Sequence, residues 1–144
     1  MKTLKKILSA VLLLAILQSL AFAQQRSKVV VLYGDKKTPE TLYTGSYALV
    51  IGVSDYQSPE WADLKGVARD VLTVKTALEK QNFKVTLVTP RPTRAEILAA
   101  IQQFIDDYGI DYNSRLLIYF AGHGHTEVLP DGRNLGYIVP SDAR

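Results

Sequence analysis

The sequence predicts an α/β fold: a mainly parallel sheet with helices on both faces. Three observations carry this reading. Apolar runs at Ala48-Leu49-Val50-Ile51, Val85-Thr86-Leu87-Val88 and Leu116-Leu117-Ile118-Tyr119-Phe120 suit strands buried on both sides. Between them lie two segments whose apolar residues recur every three or four positions, the period of a helix. A strand–helix–strand–helix–strand order at this spacing joins parallel strands through right-handed crossovers.

Taken in order, the chain opens with Lys2, Lys5 and Lys6, an apolar stretch from Ile7 to Leu17, and Ala21-Phe22-Ala23. A basic start, a short apolar centre and small residues at a cleavage site make an export signal over residues 1–23, cut after Ala23. The apolar stretch is too short for a membrane span, which needs roughly 20 residues, so no stable membrane anchor is expected after cleavage. Residues 24–46 read as an extension, with Val29-Val30-Val31-Leu32 as an added edge strand, broken by the polar stretch ending at Pro39. The folded domain is expected over residues 47–144. Leu64, Val67, Val71, Val74 and Leu78 form the stripe of its first helix. Thr93 with Glu96 three residues on is a capping box that opens the second helix, whose buried face is Ile97, Ile101, Phe104 and Tyr108. Gly109 follows as the expected C′ residue.

Composition then excludes several functions. The 144 residues hold no cysteine, which removes disulfides, a cysteine-ligated zinc site and a thiol nucleophile within this chain. Of 17 basic residues against 14 acidic ones, three lysines belong to the export signal, so the mature chain carries 14 of each. With no Lys/Arg-rich run left, nucleic-acid binding loses its electrostatic support. No Gly-x-Gly-x-x-Gly or P-loop follows a strand, which argues against a nucleotide cofactor, and no cofactor is expected. No Gly-x-Ser-x-Gly elbow is present either.

In open α/β sheets, ligands bind beyond the carboxyl ends of the strands where strand order reverses. For the order 2-1-3 that point lies between the first and third strands. The third runs into Ala121-Gly122-His123-Gly124-His125, and the first into Gly52-Val53-Ser54-Asp55-Tyr56 and the helix that carries Asp70. Topology therefore brings both histidines toward a loop with Asp55 and Asp70. His123, between glycines, is either a turn residue or a general base, since imidazole is the side chain that ordinarily titrates near neutrality. His125 reads as a solvated loop residue. Asp70 either complements the helix dipole or faces a ligand. Asp55 and Tyr56 read as turn formers and Trp61 as core. His123 and His125 with Glu127, Asp131 or Asp142 make a poor metal set without fixed geometry, so no metal is expected.

The motifs Tyr47-Ala48-Leu49-Val50-Ile51-Gly52, Leu64-Lys65-Gly66-Val67-Ala68-Arg69-Asp70 and Arg115-Leu116-Leu117-Ile118-Tyr119-Phe120-Ala121-Gly122-His123-Gly124 resemble the caspase and metacaspase superfamily of cysteine peptidases, bacterial caspase-like proteins in particular. The segment Gly136-Tyr137-Ile138-Val139-Pro140-Ser141-Asp142-Ala143 resembles the stretch after the histidine loop in that superfamily. The resemblance implies a caspase-like three-layer sandwich whose C-terminal strands are missing here. It implies that His123 is the catalytic histidine and that the Gly124 N–H is one oxyanion donor. It further implies that Asp70 lines a pocket selecting Arg or Lys before the cut bond. Arg69 stands where the family often has asparagine, and Ala121 where some members have serine.

The family's nucleophile is a cysteine on the next strand, and no cysteine comes after His123. Three readings result: the N-terminal piece of a caspase-like cysteine endopeptidase, inactive as it stands; an exported pseudo-peptidase acting as a binding or regulatory module; or another hydrolase or metal enzyme using His123 and His125. The first is the reading adopted, with a protein or peptide as substrate, a periplasmic or secreted location, and an undetermined oligomeric state. Three core strands leave a sheet edge open, which predicts association or low stability. Export is checked by N-terminal sequencing of the mature protein: the reading predicts a first residue of Gln24, and an intact Met1 overturns it.

Overall fold

The computed structural model describes residues 29–31 and 40–144. The proposed signal over 1–23 lies outside the described residues, as do residues 24–28 and 32–39 of the extension. No helix among the described residues is long and apolar enough to cross a membrane.

The central element is a three-stranded parallel sheet of β3 (Gly45–Gly52), β4 (Lys84–Val88) and β5 (Ser114–Ala121), in the order β4-β3-β5. Helix α1 (Val67–Lys80) joins β3 to β4, and α2 (Arg94–Tyr108) joins β4 to β5. This is the expected order with the first strand in the middle. β3 is the most deeply buried strand because both helices need it. Its alternate residues Leu49 and Ile51, with Val53 just beyond, pack against Ile97 and Phe104 of α2. Val50, on the other face, packs against Val67 and Val71 of α1. A strand apolar on both faces is what a doubly covered parallel sheet requires.

The expected extension strand takes a different place. β1 (Val29–Val31) pairs antiparallel with β2 (Glu40–Tyr43) in a ribbon of their own, not at the edge of the main sheet. An antiparallel partner close in sequence needs only a short connection. The outer strands of the main sheet, β4 and β5, are edges among the described residues. On β5, Leu116 and Ile118 are 39% and 49% exposed, an apolar edge open to pairing.

The helix ends follow local chemistry. Leu64 precedes α1 in a turn, its N–H held by the Ser54 carbonyl. α1 ends with Asn82 at φ 63°, the Asn82 N–H donating to Glu79 O and the Phe83 N–H to Leu78 O, which together satisfy the last carbonyls. The Thr93–Glu96 capping box is present in both directions. Its bonds hold the Glu96 carboxyl below the usual carboxylate range. Gly109 is not left-handed as expected for a C′ residue: its φ is −84° and it is the C-cap itself. A Cβ there would meet the Ile105 carbonyl oxygen at 2.7 Å, so glycine is required by close approach rather than by handedness.

After β5 the chain forms an exposed hairpin, β6 (Gly124–Val128) and β7 (Asn134–Ile138). Burial predicts contrasting mutational costs. Leu49→Ala, in a fully buried position, should lower unfolding free energy by about 3 kcal/mol. Leu72→Ala, 55% exposed on α1, should change it by no more than about 0.5 kcal/mol. Urea denaturation of both variants checks this.

Candidate active site around His123

The site follows from strand register. β3 and β5 pair from Gly45↔Ser114 to Gly52↔Ala121, so both chains leave the sheet at one level. The Val53 N–H extends the ladder to Ala121 O at 2.9 Å. The loop after β3 and the short turn after β5 must therefore meet, and they meet on His123.

The loop between β3 and α1 is closed on itself. The Leu64 N–H donates to Ser54 O, the Trp61 N–H to Ser58 O, and the Tyr56 N–H to Asp63 Oδ1 at 2.8 Å. Closed in this way, it forms a cradle for the imidazole. Tyr56 and Trp61 flank the ring with centroids 4.9 and 5.4 Å away. His123 Nε2 lies 2.8 Å from the Ala62 carbonyl oxygen. A carbonyl only accepts, so Nε2 carries the proton and the neutral ring keeps its lone pair on Nδ1.

The main chain of His123 is held as firmly. Its N–H donates to the Tyr56 hydroxyl at 2.8 Å, and its carbonyl accepts the Val139 N–H at 3.0 Å. Burial pushes the Tyr56 phenol up, against the opposing effect of the His123 N–H bond, so the hydroxyl keeps its proton at neutral pH. Gly122 must be small: a Cβ there would stand 2.7 Å from Phe120 Cζ and 3.0 Å from the Tyr56 hydroxyl.

Gly124 begins β6 opposite Ile138. Since the Val139 N–H bonds the His123 carbonyl, hydrogen-bonded and non-bonded pairs alternate from that point, and Gly124/Ile138 is a non-bonded pair. The Gly124 N–H therefore points away from β7, free for a ligand oxygen.

The segment after β7 ties the loops together. Ser141 is fully buried; its N–H donates to Pro92 O, its Oγ to Arg91 O, and its carbonyl accepts the Gln57 N–H. Asp142 Oδ1 accepts the Arg94 N–H at the start of α2.

Of the residues expected at the site, the structure brings together His123 and Gly124. His125 is exposed, with its ring edge-on to Trp61 at 6.4 Å. Asp70 sits in the first turn of α1 with its side chain 56% exposed, 4.0 Å from Arg69 Nε, and makes no contact with His123. Such a surface ion pair contributes little. Asp55 takes no part in the cradle. The sequence reading missed Tyr56, Trp61, the Ala62 carbonyl and Ser141. Tyr56 and Trp61 carried a signal, as aromatic residues in a loop at the end of a buried strand; the carbonyl and Ser141 carried none. No group of three potential metal-ligating side chains occurs among the described residues.

Residues 46–144 match the family model of the caspase domain, a peptidase family. No curated protein matches the chain. Gly122→Ala, by crowding ring ends that are packed in place, should destabilise the fold by about 1–3 kcal/mol. It should also shift the His123 amide resonance; an unmoved resonance would show that the Tyr56 contact tolerates the added methyl.

Proposed function

The chain belongs to the caspase-domain family of peptidases, and from that premise we propose that its site is the histidine half of a caspase-like cysteine endopeptidase. The observation that carries the reading is the imidazole held by Ala62 O through Nε2, which leaves Nδ1 as the basic nitrogen. In peptide-bond hydrolysis that nitrogen takes a proton from a thiol as the sulfur attacks the carbonyl carbon, then returns it to the leaving amine. The free Gly124 N–H stabilises the negative charge that develops on the carbonyl oxygen. Protein or peptide is the substrate class, and the chain is exported to a periplasmic or extracellular space.

The chain contains no cysteine, so the thiol has to come from outside these 144 residues, and the chain alone is inactive. Asp70, exposed in the first turn of α1, selects Arg or Lys before the cut bond through charge-assisted hydrogen bonds. The missing cysteine also favours a second reading, a pseudo-peptidase that binds peptides without cutting them.

The two readings separate by assay. The purified chain should leave Arg- and Lys-containing reporter peptides uncut. A form of the protein that carries the thiol should cut them and be blocked by iodoacetamide. In that form His123→Ala should lower kcat by at least about 100-fold, and Asp70→Ala should mainly abolish the preference for basic residues. Peptide binding with no turnover in any form would establish the second reading instead.

A further inference from the structure

The short hairpin β6–β7 has an irregularity where it meets the site. The Val139 N–H bonds the His123 carbonyl at 3.0 Å, which makes His123 and Val139 opposite members of a hydrogen-bonded pair. In an unbroken antiparallel ladder such a pair exchanges two bonds, so the His123 N–H would donate to Val139 O. It does not. The Tyr56 hydroxyl stands between the two groups, accepting the His123 N–H at 2.8 Å and directing its own proton to Val139 O at 3.5 Å. β6 accordingly begins at Gly124 rather than at His123.

We propose that the Tyr56 hydroxyl is the positioning element for His123: by inserting into the ladder between His123 N–H and Val139 C=O, it turns the histidine out of the strand and sets its imidazole against the Ala62 carbonyl. The proposal deepens the peptidase reading and rests on it for what the imidazole does.

The chemistry requires a hydroxyl on a rigid arm. A group that accepts from an N–H and donates to a carbonyl needs both a lone pair and a proton, which phenol supplies while neutral. The upward push that burial gives the phenol keeps it neutral well into the alkaline range. The arm is fixed from behind, because the Tyr56 N–H is held by Asp63 and the loop is closed between Ser54 and Leu64. The same loop supplies Ala62, the acceptor for Nε2. One loop thus sets both the main chain and the ring of the histidine. Without the hydroxyl, the direct bond from His123 N–H to Val139 O becomes available and β6 grows by one residue. The imidazole then leaves the Ala62 carbonyl.

Tyr56→Phe removes the oxygen and keeps the ring, and nitrogen-15 NMR of both histidines in the 144-residue chain reads the result. The expected outcome is loss of the Nε2-protonated pattern at His123, replaced by averaged ring shifts, while His125 and the melting cooperativity stay unchanged. An unchanged His123 pattern, or equal changes at both histidines, overturns the proposal. Should the variant fail to fold, the unaltered chain still decides: a slowly exchanging Tyr56 hydroxyl proton with a nuclear Overhauser effect to the His123 amide is expected, and its absence overturns the proposal. Neither readout needs a nucleophile or turnover. A lost tautomer in Tyr56→Phe with no cleavage by the thiol-bearing form would sink the peptidase reading alone. An unchanged tautomer with cleavage intact would sink only the role of Tyr56.

Discussion

The register between β3 and β5 is the constraint on which the rest depends. Gly52 lies opposite Ala121, so both strands end at the same height and the chains that leave them are neighbours from their first residue. β3, buried between the two helices, cannot slip by one residue along β5 without moving Leu49 and Ile51 off the α2 face. Core packing therefore fixes where His123 emerges, and hydrophobic burial does the coarse work of assembling the site.

Polar contacts do the fine work. Packing sets the ends of β3, β4 and β5, but nothing in it orients an imidazole. Orientation comes from the closed loop 54–64, which supplies Tyr56 and Ala62, and from the returning segment that carries Val139, Ser141 and Asp142. Ser141 bonds three separate backbone groups from a fully buried position. A buried serine left without them would be costly, so the segment has one seat and holds the loops after β3 and β4 together. Within this caspase-family domain the frame holds His123 and leaves the Gly124 N–H unpaired with β7, and no cysteine occurs in the 144 residues.

Much of this was legible in the sequence, for physical reasons that differ by element. The β3 run and the α1 and α2 stripes were readable because burial on one or both faces imposes a period on residue type, and the Thr93–Glu96 cap because it needs two specific side chains at fixed spacing. His123 was readable from topology and from its glycine neighbours. The Ala62 carbonyl was not, since every residue owns one. Tyr56 looked like a turn former because its partner, the His123 N–H, lies 67 positions away and leaves no local pattern. The β1–β2 ribbon and the end of α2 departed from expectation because antiparallel pairing prefers near neighbours and because Gly109 answers to crowding by Ile105.

The Ala62 carbonyl puts the His123 proton on Nε2 and leaves the ring's lone pair on Nδ1. Long-range proton–nitrogen correlation spectra of the imidazoles in the unaltered chain, recorded above the range where the ring is charged, test it directly. One tautomer is expected at His123, protonated at Nε2, beside averaged behaviour at the exposed His125. A His123 ring protonated at Nδ1, or one as averaged as His125, would contradict it.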